Sequence, residues 1–113
     1  METVFVWKNN RYTNIKVRDI KYVESRGSRI KLATTNEDYY LTKSLRHFVG
    51  SMLVPNLIRI HRSFLVNFEH INSFDHFFVY IDGYQLPIGA TYRAKFLKSI
   101  NCGGLLRKKR ARE

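Results

Sequence analysis

The sequence is short of the residues that staple, ligate or hydrolyse. Its 113 positions hold one cysteine, Cys102, which excludes an internal disulfide framework and any zinc site built on CxxC pairs. That lone thiol reads as an ordinary buried or half-exposed side chain. Four histidines occur without HxH or HExxH spacing, so no ligand set or hydrolytic group is promised, and the pair His70 and His76 reads as surface or capping residues. No glycine-rich phosphate loop precedes a helix. No apolar run approaches the roughly 18 residues of a membrane span, and the N-terminus lacks the apolar core of a signal peptide. The expectation is a soluble, cytoplasmic, non-enzymatic protein that needs no metal or cofactor.

Acidic residues are the other shortage. Twenty Lys and Arg face nine Asp and Glu, a formal charge of +11. The last nine residues, LLRKKRARE, hold five basic and one acidic residue, so residues 1–104 keep +7 of that charge. Such a field favours a polyanion. An anionic membrane surface would require a basic amphipathic helix with an exposed apolar face, and every apolar stripe here is better explained as core. The length suits one domain with a real core. Residues 1–102 are expected to form it, with 103–113 as a flexible basic tail.

What is present reads as β structure. Residues 3–16 form a hairpin about Asn9-Asn10, which tolerate positive φ. Strands follow at 20–25, 29–34 and 38–41, broken by Arg26-Gly27-Ser28 and by Thr35-Asn36-Glu37. In the second of these, Arg29 and Lys31 alternate with Ile30 and Leu32. Ser44 caps a first helix whose stripe is Leu45, Phe48, Val49 and Met52, and Pro55 closes that segment. Residues 57–62 alternate as a half-buried strand. One helical turn is expected at 64–68, then a strand at 71–74. Asp82-Gly83 joins strands 77–81 and 84–88 as a hairpin, with Pro87 confined to an edge or a strand end. Thr91 caps a last helix carrying Tyr92, Phe96 and Ile100, which Gly103-Gly104 ends. The fold class is therefore mainly antiparallel β with two short helices. No adjacent helix pair exists to make a helix-turn-helix.

Residues 57–67, LIRIHRSFLVN, are the most informative stretch. The polar corner His61-Arg62-Ser63 stands between two apolar segments, an arrangement that suits a rigid reading head, with Phe64 expected as its buried anchor. This R-I-H-R-S-F-L-V-N run, followed by His70-Ile71, closely resembles the LytTR type of bacterial DNA-binding domain. Asp19-Ile20-Lys21-Tyr22-Val23-Glu24-Ser25 upstream, and Leu86-Pro87-Ile88 before Tyr92-Arg93 downstream, agree in order and spacing. The resemblance spans roughly residues 3–100. It implies an elongated fold of several small sheets, with loops inserted into successive major grooves of double-stranded DNA. It also implies paired or dimeric binding to direct repeats, some bending of the DNA, and a role in transcriptional regulation. Many relatives carry an upstream receiver domain; none lies in these residues, so the chain is either a stand-alone regulator or part of a longer one.

Candidate DNA-binding residues form three groups. Arg62 comes first, because a guanidinium can bond guanine O6 and N7 as a fork and the resemblance makes the position after the motif His face DNA. His61, Ser63 and Arg59 accompany it, with phosphate contact as the reading for Arg59. The second group is Arg26, Ser28 and Arg29, where Gly27 lets backbone approach a groove; the resemblance gives Ser28 or Arg29 a base contact. The third is Thr91 and Arg93 after Gly89-Ala90, where relatives often have Ser and a basic residue. A phosphate at the helix N-terminus is the reading there. Two rival functions draw on the same residues. A basic RNA-binding β domain rests on charge and on fifteen Phe and Tyr. Most of these read as core, as in the alternation Phe77, Val79, Ile81, while Tyr39, Tyr40 and Tyr84 have no clear place. The other rival is a nuclease that pairs His61 with a carboxylate.

Overall fold

Short polar turns divide the chain into hairpins, as their side chains require. The computed structural model describes residues 3–50 and 56–100. It contains β1 (Thr3–Lys8), β2 (Arg11–Lys16), β3 (Ile20–Arg26), β4 (Arg29–Thr34), β5 (Asp38–Leu41), α1 (Leu45–Gly50), β6 (Leu57–His61), β7 (Phe64–Asn67), β8 (Ser73–Phe74), β9 (Phe78–Ile81), β10 (Tyr84–Pro87) and α2 (Ala90–Ile100). Asn9 and Asn10 take φ of 54° and 62° between β1 and β2, and Asp82 and Gly83 take 47° and 84° between β9 and β10. Two consecutive positive φ values make the type I′ turn, whose twist matches that of the paired strands. Ser44 caps α1, its hydroxyl accepting the His47 amide at 3.0 Å.

The strands form three antiparallel sheets: β1-β2, β10-β9-β8, and a central sheet ordered β5-β4-β3-β7-β6. Two cores lie on opposite faces of the central sheet. One holds Val6 and Ile15 from the first hairpin and Leu45 and Phe48 from α1, against Val23, Ile30, Leu32 and Leu65. The other holds Val79, Ile81, Leu86 and Phe96, against Tyr22, Ala33, Ile60 and Val66. Stacking both layers on one narrow sheet gives an elongated particle, 56 × 25 × 25 Å. No described helix is long and apolar enough to cross a membrane.

The coverage of both sheet faces explains where the structure departs from expectation. The turn of helix expected at 64–68 is instead strand β7, paired with β3 on one side and β6 on the other. A strand buried on both faces has no alternation to read. A 3-10 turn follows at Phe68–His70, and the next strand shrinks to Ser73–Phe74. Lys31 alternates with Ile30 and Leu32 as expected, but the face it takes is also covered, so it is buried, its ammonium bonded to the Tyr22 hydroxyl at 3.2 Å and 3.7 Å from Asp38. Burial pushes the Lys31 pKa down, but Tyr22 and Asp38 more than offset it, so the group stays charged.

Smaller corrections follow the same packing. Phe64 is half-buried and Leu65 is the buried residue after the corner. Val49 and Phe77 are exposed. α2 begins at Ala90, which puts Thr91 inside the first turn instead of at the cap. Gly89 is pinned by its amide to the Ile60 carbonyl, and its own carbonyl accepts from Tyr92, so the helix starts two residues early. Pro87 ends an edge strand, as its missing donor demands. Met52, Pro55, Gly103-Gly104 and the tail 103–113 lie outside the described residues.

Asn67 closes the end of the sheet where β7 leaves it. It is buried; its side-chain amide donates to the Ile20 carbonyl at 2.9 Å, and its oxygen accepts the Glu69 amide at 3.0 Å. Removing it strands both groups in a dry site. Asn67→Ala should cost about 1–3 kcal/mol, read as a lower denaturant midpoint at unchanged m-value. An unchanged midpoint would show that water replaces the amide without loss.

Candidate nucleic-acid interface

Two hairpin tips meet at one end of the central sheet. β3 and β7 are antiparallel with Glu24 opposite Phe64, so the end of β3 lies beside the start of β7. The Ser25 amide donates to the Ser63 carbonyl at 2.9 Å and ties the tips together. Gly27, at φ 61°, turns Arg26 into Arg29. Ile30 opposite Leu41 brings the loop after β5 to the same end, with exposed Lys43 in it.

The His61-Arg62-Ser63 corner is internally braced. His61 Nδ1 accepts the Ser63 amide at 3.0 Å, which puts the ring proton of the neutral tautomer on Nε2, and Phe64 packs edge-on against the ring at 5.8 Å. Arg59 donates from Nε to the His61 carbonyl at 2.8 Å and from its terminal nitrogen to the Arg62 carbonyl at 2.6 Å. Its guanidinium lies over the Tyr92 ring of α2, 5.6 Å from the centroid. A register shift between Arg59 and His61 aims this side chain along the turn. By contrast, the Arg62 side chain is exposed and has no partner among the described residues.

The third loop, residues 88–91, joins the corner through Gly89. Beyond its amide bond to Ile60, a Cβ on Gly89 would stand 3.3 Å from Tyr92 Cδ2 and 3.5 Å from His61 Cδ2. A Cβ there would crowd the Tyr92 ring and touch His61 at ordinary contact distance. Thr91 is exposed in the first turn of α2. Arg93 is committed elsewhere: Nε donates to the His76 carbonyl at 2.7 Å, and the guanidinium lies 5.7 Å from the Phe77 ring centroid.

The sequence-derived candidates thus divide by what their side chains touch. Arg62 and Ser28 project from the tips, Arg29 lies on the Tyr40 ring at 4.9 Å, and Arg26 pairs with Glu24 at 3.2 Å. Arg59 and Arg93 brace loops. Tyr40 and Lys43 went unread because their place at this end comes from β4–β5 pairing, a long-range fact; the only local sign was a cation within the strand-to-helix link. Tyr39 is buried beneath Lys8, and Tyr84 packs on Tyr22 at 5.8 Å. Among the described residues no group of three or more His, Cys, Asp or Glu could hold a metal, and no carboxylate pairs with His61.

Fold and tips together define a mostly β domain whose cationic loops, not a helix, gather at one end. Residues 10–101 match the model of the LytTr DNA-binding domain family. The chain belongs to the LytTR family, which comprises DNA-binding domains and not enzymes. It is 31% identical over 91 residues to the sensory transduction protein LytR of Staphylococcus saprophyticus, covering 80% of this chain and 35% of that protein. It is 28% identical over 92 residues to the sensory transduction protein LytT of Bacillus subtilis, covering 76% of this chain and 38% of that one. The chain therefore spans little more than a third of these relatives' length. A solved LytTr DNA-binding domain from Bacillus cereus has the same fold, with a TM-score of 0.76 at 22% identity, covering 88% of this chain and 97% of that one.

Asp75 supports the third loop from behind. Its carboxylate accepts the amides of Phe77 and Phe78 and the Tyr80 hydroxyl, each at 2.8 Å, and this turn presents the His76 carbonyl to Arg93. The Phe77 amide foremost, then Tyr80 and Phe78, hold its pKa below the ordinary value. A depressed carboxylate contributes stability that is complete above its unfolded pKa and is lost as pH falls through the folded one. Asp75→Asn keeps one acceptor but cannot titrate. The two proteins should differ in denaturant midpoint near about pH 6 and converge toward about pH 2; a constant gap would rule out the linkage.

Proposed function

We propose that this domain binds double-stranded DNA sequence-specifically in transcriptional regulation, with the 26–29 and 61–63 tips entering a major groove. One observation carries the reading: Arg62 is a free guanidinium on a corner whose carbonyls, amide and neighbouring ring are all held by other groups. A guanidinium carried on a braced backbone can present its fork to guanine O6 and N7. Ser28, Arg29 and Lys43 lie beside it for a second base or for phosphates, and His61 Nε2–H is a further donor. Arg59 and Arg93 act here as positioning residues, and the exposed start of α2 at Thr91 faces a phosphate. Family membership favours paired copies on direct repeats, in successive grooves, and the length of the relatives leaves room in them for a signalling domain.

RNA is the weaker ligand. Of the exposed aromatics, Phe5, Trp7 and Tyr12 lie on the first hairpin, away from the cationic tips, and Tyr40 at the tips is covered by Arg29; A-form major grooves exclude such loops. Competition of a labelled duplex by RNA separates the two readings.

The decisive experiment selects bound duplexes from a random pool and then compares Arg62→Lys with the unaltered protein. The substitution keeps the charge and loses the fork, so it should cost about 1–3 kcal/mol on the selected site and almost nothing on random duplex. Equal losses on both would make Arg62 a phosphate clamp. With roughly six phosphates contacted, log K should fall against log salt with a slope of about −5; a flat dependence would refute duplex binding.

A further inference from the structure

We propose that the outer face of the first hairpin docks an acidic protein segment with apolar side chains at its centre. The inner face of β1-β2 packs Val4, Val6 and Ile15 on the first core. On the outer face Phe5, Trp7 and Tyr12 stand 59%, 58% and 68% exposed. Trp7 lies opposite Tyr12, and Phe5 opposite Asn14, so the three rings form one contiguous patch. Isolated exposed aromatics are ordinary, but a cluster on one sheet face marks an interaction surface. Two of these residues precede the family match, which begins at residue 10.

The place of the hairpin separates it from the tips. Lys8 forms an ion pair with Glu37, in the turn joining β4 to β5. That turn is the opposite end of β4 from Arg29, and the six residues of β4 span roughly 17 Å. A duplex held at the tips leaves this patch uncovered.

Charge names the partner. Residues 3–18 contain no Asp or Glu. With Lys8 compensated by Glu37, exposed Lys16 on the ring face and exposed Arg11, beside Tyr12 at the turn but on the opposite strand face, are left without a carboxylate partner among the described residues. A second copy would set like charges against like, on a chain of +11. Ring geometry argues against stacked bases: Trp7 and Tyr12 meet edge-to-face, 4.9 Å apart at 70°. A stacking platform needs flat rings, whereas this ridge fits between aliphatic side chains. An acidic segment bearing Leu or Phe satisfies both the rings and the cations.

Trp7 is the only tryptophan in the chain, so its emission reports on the patch alone. Three sets of short synthetic peptides, equal in Leu and Phe content but acidic, neutral or basic, are titrated against the full chain. The acidic set should blue-shift the emission and the basic set should not. Arg11→Glu/Lys16→Glu, which leaves the rings intact, should reverse that preference. Phe5→Thr/Tyr12→Thr should weaken acidic-peptide binding at least about tenfold while duplex affinity stays unchanged, which also certifies the fold. Equal response to all three sets, or to none, overturns the proposal. A single-stranded oligonucleotide that quenches Trp7 more tightly than any peptide would make the face a stacking platform. A shift with protein concentration alone would make it a self-association surface.

Discussion

The pairing of β3 with β7 is the constraint on which the rest of the molecule depends. Both are interior strands of the five-stranded sheet, and both their faces are covered. A slip by one residue would carry Val23 and Leu65 to the second core and Tyr22 and Val66 to the first. Both packed layers would then meet the wrong side chains, so register is doubly specified. The same register fixes Ser25 against Ser63 and sets the two tips side by side. The cationic end is therefore positioned by core packing and not by contacts among its own cations, which is how flexible Arg side chains can share a rigid base.

How much of this was legible depends on range. Turn chemistry was local and readable: Asn9-Asn10, Gly27 and Asp82-Gly83 all adopt the positive φ that their residue types favour. The Ser44 cap and the corner at 61–63 were equally plain. β7 was misread because Phe64, Leu65 and Val66 form an apolar run, and a run buried on both faces looks the same as a helix turn until its neighbours are known. The alternation of Lys31 with Ile30 and Leu32 was readable, but its burial was not: Tyr22 and Asp38, brought by neighbouring strands, hold its ammonium in a nearly closed site.

Charge counting fails in an instructive way at the candidate site. From the sequence, Arg62 is the expected base reader, with Arg59 and Arg93 expected at phosphates. In the structure Arg59 holds the His61 and Arg62 carbonyls, Arg93 holds the His76 carbonyl, and Arg62 alone is unengaged. Arginine suits both roles because its planar fork can satisfy two acceptors at once. The signal that separates them was partly present in the sequence: Arg59 sits inside the strand pattern, two residues before the corner, whereas Arg62 sits at its apex.

Bracing by Arg59 also answers an electrostatic problem that a loop reader faces. A tight turn leaves carbonyls unpaired, and their partial negative charge is unfavourable near a polyanion. At this corner the guanidinium neutralises two of them, and Tyr92 supports it from α2. In the proposed mode of binding the corner would meet DNA already satisfied, with less ordering entropy lost than a mobile loop would lose. A lysine at residue 59 would bring the charge without the second, geometrically fixed bond, and the two carbonyls would compete for one ammonium. The same residue thus links three levels: the register shift in β6 that turns it toward the corner, the packing of α2 on the sheet, and the direction in which Arg62 points.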